Sequence, residues 1–157
     1  MARLGVALVY SGLLIMSLPG CGVGGSKGPT GVVLAGRILN QGKPLEVKRP
    51  EIGLGMVELI LFSDGTSGGV KEMAMTNPDG RFEFRGPGNG VPAARYKLAV
   101  RQWKEGYGTE DGLGGKFAIE STPIVVDLSA VKAGYRHDLG DVELSSYSGQ
   151  PAAPASN

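Results

Sequence analysis

Apolar residues recur at every second position in short runs along this chain, and glycine or proline closes nearly every run. Such alternation puts one set of side chains on each face of a β-strand. The clearest case is residues 95–101, where Tyr96, Leu98 and Val100 share one face and Arg95, Lys97 and Arg101 the other. That is the pattern of a half-buried antiparallel strand. Trp103 falls on the other parity and is expected at the rim or exposed. Residues 56–62 are the most apolar run, interrupted only by Glu58, and read as a central strand covered on both faces.

Residues 74–84 read as a hairpin of two short strands around Asn77-Pro78-Asp79-Gly80. Proline presets its φ, glycine accepts a positive φ, and the Asn and Asp side chains bond nearby backbone. Beyond the turn, Phe82 and Phe84 alternate with Arg81, Glu83 and Arg85, so the aromatic face needs a second layer to cover it. Residues 32–39 form an earlier strand, with Leu34 and Ile38 on one face and Gly36 between them where a neighbour packs closely. Asn40-Gln41-Gly42 turns the chain, Leu45 plugs the core edge, and residues 46–55 are a polar loop. Ile124, Val126 and Leu128 mark a strand behind Pro123. In the last strand Tyr135, His137 and Leu139 share one parity and Val142 and Leu144 the other, which a bulge near Gly140-Asp141 reconciles. Residues 104–116 hold five glycines and no apolar period, so they read as a long loop. Strands spaced near ten residues with glycine turns between them indicate an all-β chain, a single antiparallel β-sandwich of about seven strands.

Composition narrows the reading. Gly 27 and Pro 10 in 157 residues favour many short elements over long helices. Lys+Arg 16 against Asp+Glu 15 leaves no strong field, so a nucleic-acid partner is not expected. With one cysteine an internal disulfide is ruled out.

That cysteine ends a distinctive stretch. Arg3 is followed by an almost uncharged run over residues 4–18 and then by Pro19-Gly20-Cys21, a secretory signal pattern too short for a spanning helix. Leu18-Pro19-Gly20-Cys21 resembles the bacterial lipobox, with Leu18, Gly20 and Cys21 fitting and Pro19 departing from the usual small residue. The alternative is an ordinary secretory signal with a cysteine there by chance. The resemblance implies cleavage after residue 20, a thioether-linked diacylglycerol on Cys21, and usually a third acyl chain. Two or more chains anchor a protein where one does not. Residues 1–20 would then be the signal, and residues 21–31 the lipidated cysteine and a flexible Gly-rich tether. Gly22 is not the aspartate that retains many lipoproteins on an inner membrane, so the expected location is the cell envelope, with the outer membrane or periplasmic side favoured.

The folded part also carries a resemblance. Leu34-x-Gly36-x-Ile38, Gly42-Lys43-Pro44-Leu45, Thr76-x-x-x-Gly80-x-Phe82-x-Phe84 and Tyr96-x-Leu98-x-Val100 together resemble the carboxypeptidase regulatory-like domain. That resemblance implies a prealbumin-like (transthyretin-like) sandwich over residues 32–144. Small bacterial lipoproteins share the arrangement, often with a late Lys-Phe and a Thr-Pro strand, as in Lys116-Phe117 and Thr122-Pro123. Ala94-Arg95 before Tyr96 departs from the family's Gly-x-Tyr. Residues 145–157, rich in Ser, Ala and Pro, are expected to be disordered.

Catalytic chemistry finds little purchase. A nucleophile relay needs a base, and His137 is the only histidine, alone on a strand. Its ordinary reading is a partly buried histidine bonded to a neighbour. Hydroxyisourate hydrolases share the transthyretin-like fold, but His137-Asp138 follows Tyr135-Arg136 where they carry Gly-Ser. Zinc wants clustered Cys and His, which are absent, and neither Asn77 with Asp79 nor Glu110 with Asp111 has the ligand spacing of a calcium loop. No enzyme, metal or cofactor is therefore expected. Trp103, Tyr107 and Phe117 flank the long loop and are candidate contacts for a sugar ring or a partner surface, or else they seal the end of the fold. The expected role is a non-catalytic interaction or structural module whose partners are the membrane, through Cys21, and an envelope protein or polysaccharide. The alternative is a carbohydrate-binding module.

Overall fold

The computed structural model describes residues 30–63, 71–86 and 90–147. The described residues are all-β apart from two short 3-10 turns, with two sheets around one apolar core. In chain order the strands are β1 (Val33–Leu39), β2 (Val57–Ser63), β3 (Lys71–Met75), β4 (Arg81–Phe84), β5 (Arg95–Gln102), β6 (Val125–Asp127) and β7 (Arg136–Glu143). One sheet has three strands in the order β4-β1-β7, and the other has four in the order β3-β2-β5-β6. Short 3-10 helices occupy Pro50–Ile52 and Leu144–Tyr147. Among the described residues no helix is long and apolar enough to cross a membrane. Residues 1–29, which hold the signal, Cys21 and most of the tether, lie outside the described residues.

The period-2 pattern builds the core. Tyr96, Leu98 and Val100 of β5 are fully buried and meet Leu59 and Leu61 of β2, with Leu34 and Phe84 closing from the facing sheet. The Tyr96 hydroxyl donates to the Pro92 carbonyl at 2.8 Å, so the ring is buried without stranding its polar end. Burial, with Glu72 adding to it, raises the pKa of this phenol. At the start of β6, Pro123 can give no amide to the ladder, and the Thr122 hydroxyl donates to the Leu98 carbonyl at 2.6 Å instead. Leu45 packs half-buried against the core edge. Gly36 lies so close to the Phe82 ring that a Cβ there would sit 2.9 Å from a ring carbon.

Three expectations are corrected. The sheets are not wholly antiparallel, because β1 and β7 pair in parallel. Parallel neighbours need a long crossover, and the whole chain between the first and last strands supplies it. Secondly, residues 74–84 are not a hairpin. The turn forms as read, with the Asn77 side-chain oxygen accepting the Asp79 and Arg81 amides at 3.1 and 2.9 Å. The strands on either side, however, belong to different sheets, β3 to β2 and β4 to β1. The Ile38 amide donates to the Gly80 carbonyl at 2.8 Å and Arg37 Nε to the Asp79 carbonyl at 2.8 Å, so β1 captures the chain as it leaves the turn. Thirdly, the ordered chain does not stop at residue 144, since the helix Leu144–Tyr147 occupies the first part of the segment expected to be disordered. Leu144 fills the core from that helix.

The phase change in the last strand is a bulge. Ala35 pairs with Asp138 and Arg37 with Asp141, so β7 spends one more residue than β1, with Gly140 in the left-handed region at φ 67°.

Candidate functional site

The long loop after β5 is an edge cover. Strand β6 is short and pairs with β5 only from Arg95 to Lys97, leaving the rest of that edge open. Residues 104–122 take up the remaining backbone groups. The Val100 amide donates to the Phe117 carbonyl at 2.9 Å, the Gly112 amide to the Gln102 carbonyl at 2.7 Å, and the Gln102 amide to Asp111 Oδ1 at 3.0 Å. Asp111 also accepts the Leu113 and Gly115 amides, both at 3.0 Å. This carboxylate, considered in the sequence as a calcium ligand, is thus occupied in holding the loop against the strand. An edge so covered cannot template another strand.

The aromatics flanking the loop separate into two places. Trp103 is half-buried at the end of the four-stranded sheet, and Tyr107 meets it edge to face with ring centroids 4.5 Å apart. Tyr107 lies over Gly53, where a Cβ would come within 2.7 Å of the ring, and its hydroxyl donates to Met56 Sδ at 3.0 Å. The pair therefore clasps the loop onto residues 53–56. Arg101 stands over the Trp103 ring at 6.0 Å from its centroid. Trp103 Nε1 is buried without a partner among the described residues. Trp103 also borders a groove of about 340 Å³ with Glu46, Lys48, Gln102 and Lys104. Phe117 is not with them. It is 4% exposed, belongs to the core, and borders a separate hollow away from Trp103 and Tyr107.

A second concavity, of about 270 Å³, lies on the outward face of the four-stranded sheet. Its floor is Glu58 and Ile60 of β2 with Ala99 and Arg101 of β5, and residues 117–120 wall it. The sequence marked Glu58 only as an interruption in an apolar strand. An acid at an outward position beside apolar neighbours was the available signal.

His137 is half-buried on β7, opposite Leu34 in the register. Among the described residues no group of three or more His, Cys, Asp or Glu is placed to hold a metal. The register also gives the molecule two ends. Val32 bridges Val91 at the end where Tyr96 pairs with Ser63, and Gln102 pairs with Val57 at the other. The chain thus enters the fold at one end, and Trp103 and Tyr107 stand at the opposite one. Compared with known proteins, the chain matches no family model, no curated protein and no solved structure.

Proposed function

We propose that this chain is a lipid-anchored lipoprotein of the cell envelope. In this reading a single β-sandwich of the prealbumin-like type acts as a non-catalytic interaction or structural module. The observation that carries the reading is the order along the chain: an uncharged apolar run, Leu18-Pro19-Gly20-Cys21, a Gly-rich segment, and a two-sheet domain beginning at its first buried residues, Gly31 and Val32. An anchor on Cys21 leads into the end of the domain away from Trp103 and Tyr107, so that end faces outward for partners. Two acyl chains suffice for stable attachment. The test is fractionation of cells making the wild-type chain or Cys21→Ser. The variant is expected to leave the membrane fraction and to lose the mass of the lipid, and a variant that remains in the membrane at unchanged mass overturns the anchor.

A second reading, carbohydrate binding, is supported by the groove beside Trp103, where an indole lies among amide and charged side chains. Stacking a sugar on an aromatic face and bonding its hydroxyls to such groups is the usual chemistry of sugar recognition. Trp103→Ala is expected to abolish retention on envelope polysaccharide while the domain stays folded by circular dichroism. Unchanged retention removes this reading.

A further inference from the structure

The outward face of the four-stranded sheet carries an acid in the floor of a hollow. Along β2, Val57, Leu59 and Leu61 face the core, so Glu58 and Ile60 face outward. Glu58 is nevertheless only 6% exposed, because it lies in the floor of the hollow of about 270 Å³ walled by residues 117–120. Among the described residues no hydrogen bond or ion pair reaches its carboxylate. Its oxygens are not sealed from solvent, so the carboxylate is hydrated where it lines the hollow.

The cation that could have paired with it is turned elsewhere. Arg101 stands directly opposite Glu58 in the β2–β5 register. Its Nη2 instead donates to the Thr109 carbonyl at 2.7 Å, and its guanidinium lies over the Trp103 ring. Asp111, on the same wall, is committed to the Gln102 amide of β5 and to two loop amides. Ile60, Ala99 and Phe117 give the hollow an apolar lining, and Glu120 adds an exposed acid to the wall. A ligand that complements this place has an apolar body to fill the hollow and a positive donor to meet Glu58.

We propose that the hollow over β2 and β5 is a binding site for a small organic cation, an ammonium group carried on an apolar body about the size of one aromatic ring, with Glu58 as its counter-ion. The ammonium meets the hydrated Glu58 carboxylate, and the apolar body displaces water from Ile60, Ala99 and Phe117. The site is separate from the Trp103 groove and does not depend on a lipid anchor.

The probe is 2-phenylethylammonium, titrated calorimetrically into the full chain in non-ionic detergent, with 2-phenylethanol as the neutral body of the same shape. The alcohol also reports any partition into micelles. The expected result is saturable one-to-one binding of the ammonium, weakened at least about tenfold when the alcohol replaces it or when Glu58→Gln removes the charge. The Glu58→Gln chain should melt no lower than wild type, since among the described residues the lost charge makes no ion pair. Ala99→Leu, which fills the floor and leaves Glu58 in place, should abolish binding. Absence of saturation up to about 10 mM, equal affinity for the alcohol, or unchanged binding in either variant overturns the proposal. If a variant does not fold, the comparison of ammonium with alcohol on the wild-type chain still decides.

Discussion

Gly80 is held from two directions. Its φ is 79°, and a Cβ built there would lie 2.4 Å from the Ile38 carbonyl oxygen, a backbone atom of β1. Gly140 has a similar φ of 67° with nothing within 4 Å of a Cβ. The pair separates strain from collision. Gly140→Ala should cost about 1 kcal/mol, the penalty of the left-handed region alone, and Gly80→Ala about 3 kcal/mol or more. Urea unfolding of both variants checks this, and equal costs would show that Ile38 yields. The Asn-Pro-Asp-Gly turn was legible because every bond that makes it is local. The sheet joined by the strand after it was not legible, because that choice is made by Arg37 and the Ile38 amide, some forty residues earlier. Likewise the parity of residues 95–103 set Trp103 apart from the core face correctly. Phe117, in a stretch with no period, gave no sign that it turns inward.

Between elements, the clearest fastening is Glu143 at the end of β7. Its carboxylate accepts the Gln41 and Gly42 amides at 2.7 and 2.8 Å and the Ser145 amide at 3.0 Å, as well as the Ser145 hydroxyl. It thereby ties the turn after β1 to the helix after β7. The Ser145 hydroxyl first, then the Gly42 amide, lower its pKa from 4.5 to about 2. A carboxyl with a lowered folded pKa contributes stability that is fully present above its unfolded value and is lost as pH falls through the folded one. Wild type should therefore lose this contribution between about pH 4.5 and 2. Glu143→Gln should be less stable than wild type at neutral pH, and the gap should close as pH falls through that window. Urea midpoints across the pH series measure it, and a constant gap would contradict the assignment. A single acid near the chain's end carries no periodic signal, so sequence reading passed it over. The edge cover after β5 was hidden for the same reason, being built from carbonyls and one aspartate and not from apolar alternation.

Taken as a whole, the molecule wears two different coats. Outward from the three-stranded sheet, Glu83 joins Arg85, just past the end of β4, to Arg136 across β1, and Arg136 chiefly holds the Glu83 carboxyl below its ordinary range. Outward from the four-stranded sheet stand Met73 and Met75, 59% and 38% exposed, beside the hollow's Ile60, with Val125 on the far strand. Alternation along the strands forecast which residues face inward. It could not forecast how the outward faces would be shared, because that depends on which strands become neighbours.

The parallel pairing of β1 with β7 has a further meaning during synthesis. Among the described strands, the one at the middle of its sheet is the first made, and one of its two hydrogen-bonding neighbours is the last. Val33 waits for Arg136, a separation of roughly a hundred residues whose closure costs entropy before any contact returns it. Until then β1 has β4 on one side and an open edge on the other. A nascent chain therefore holds this sheet unfinished until residues 136–143 have been made.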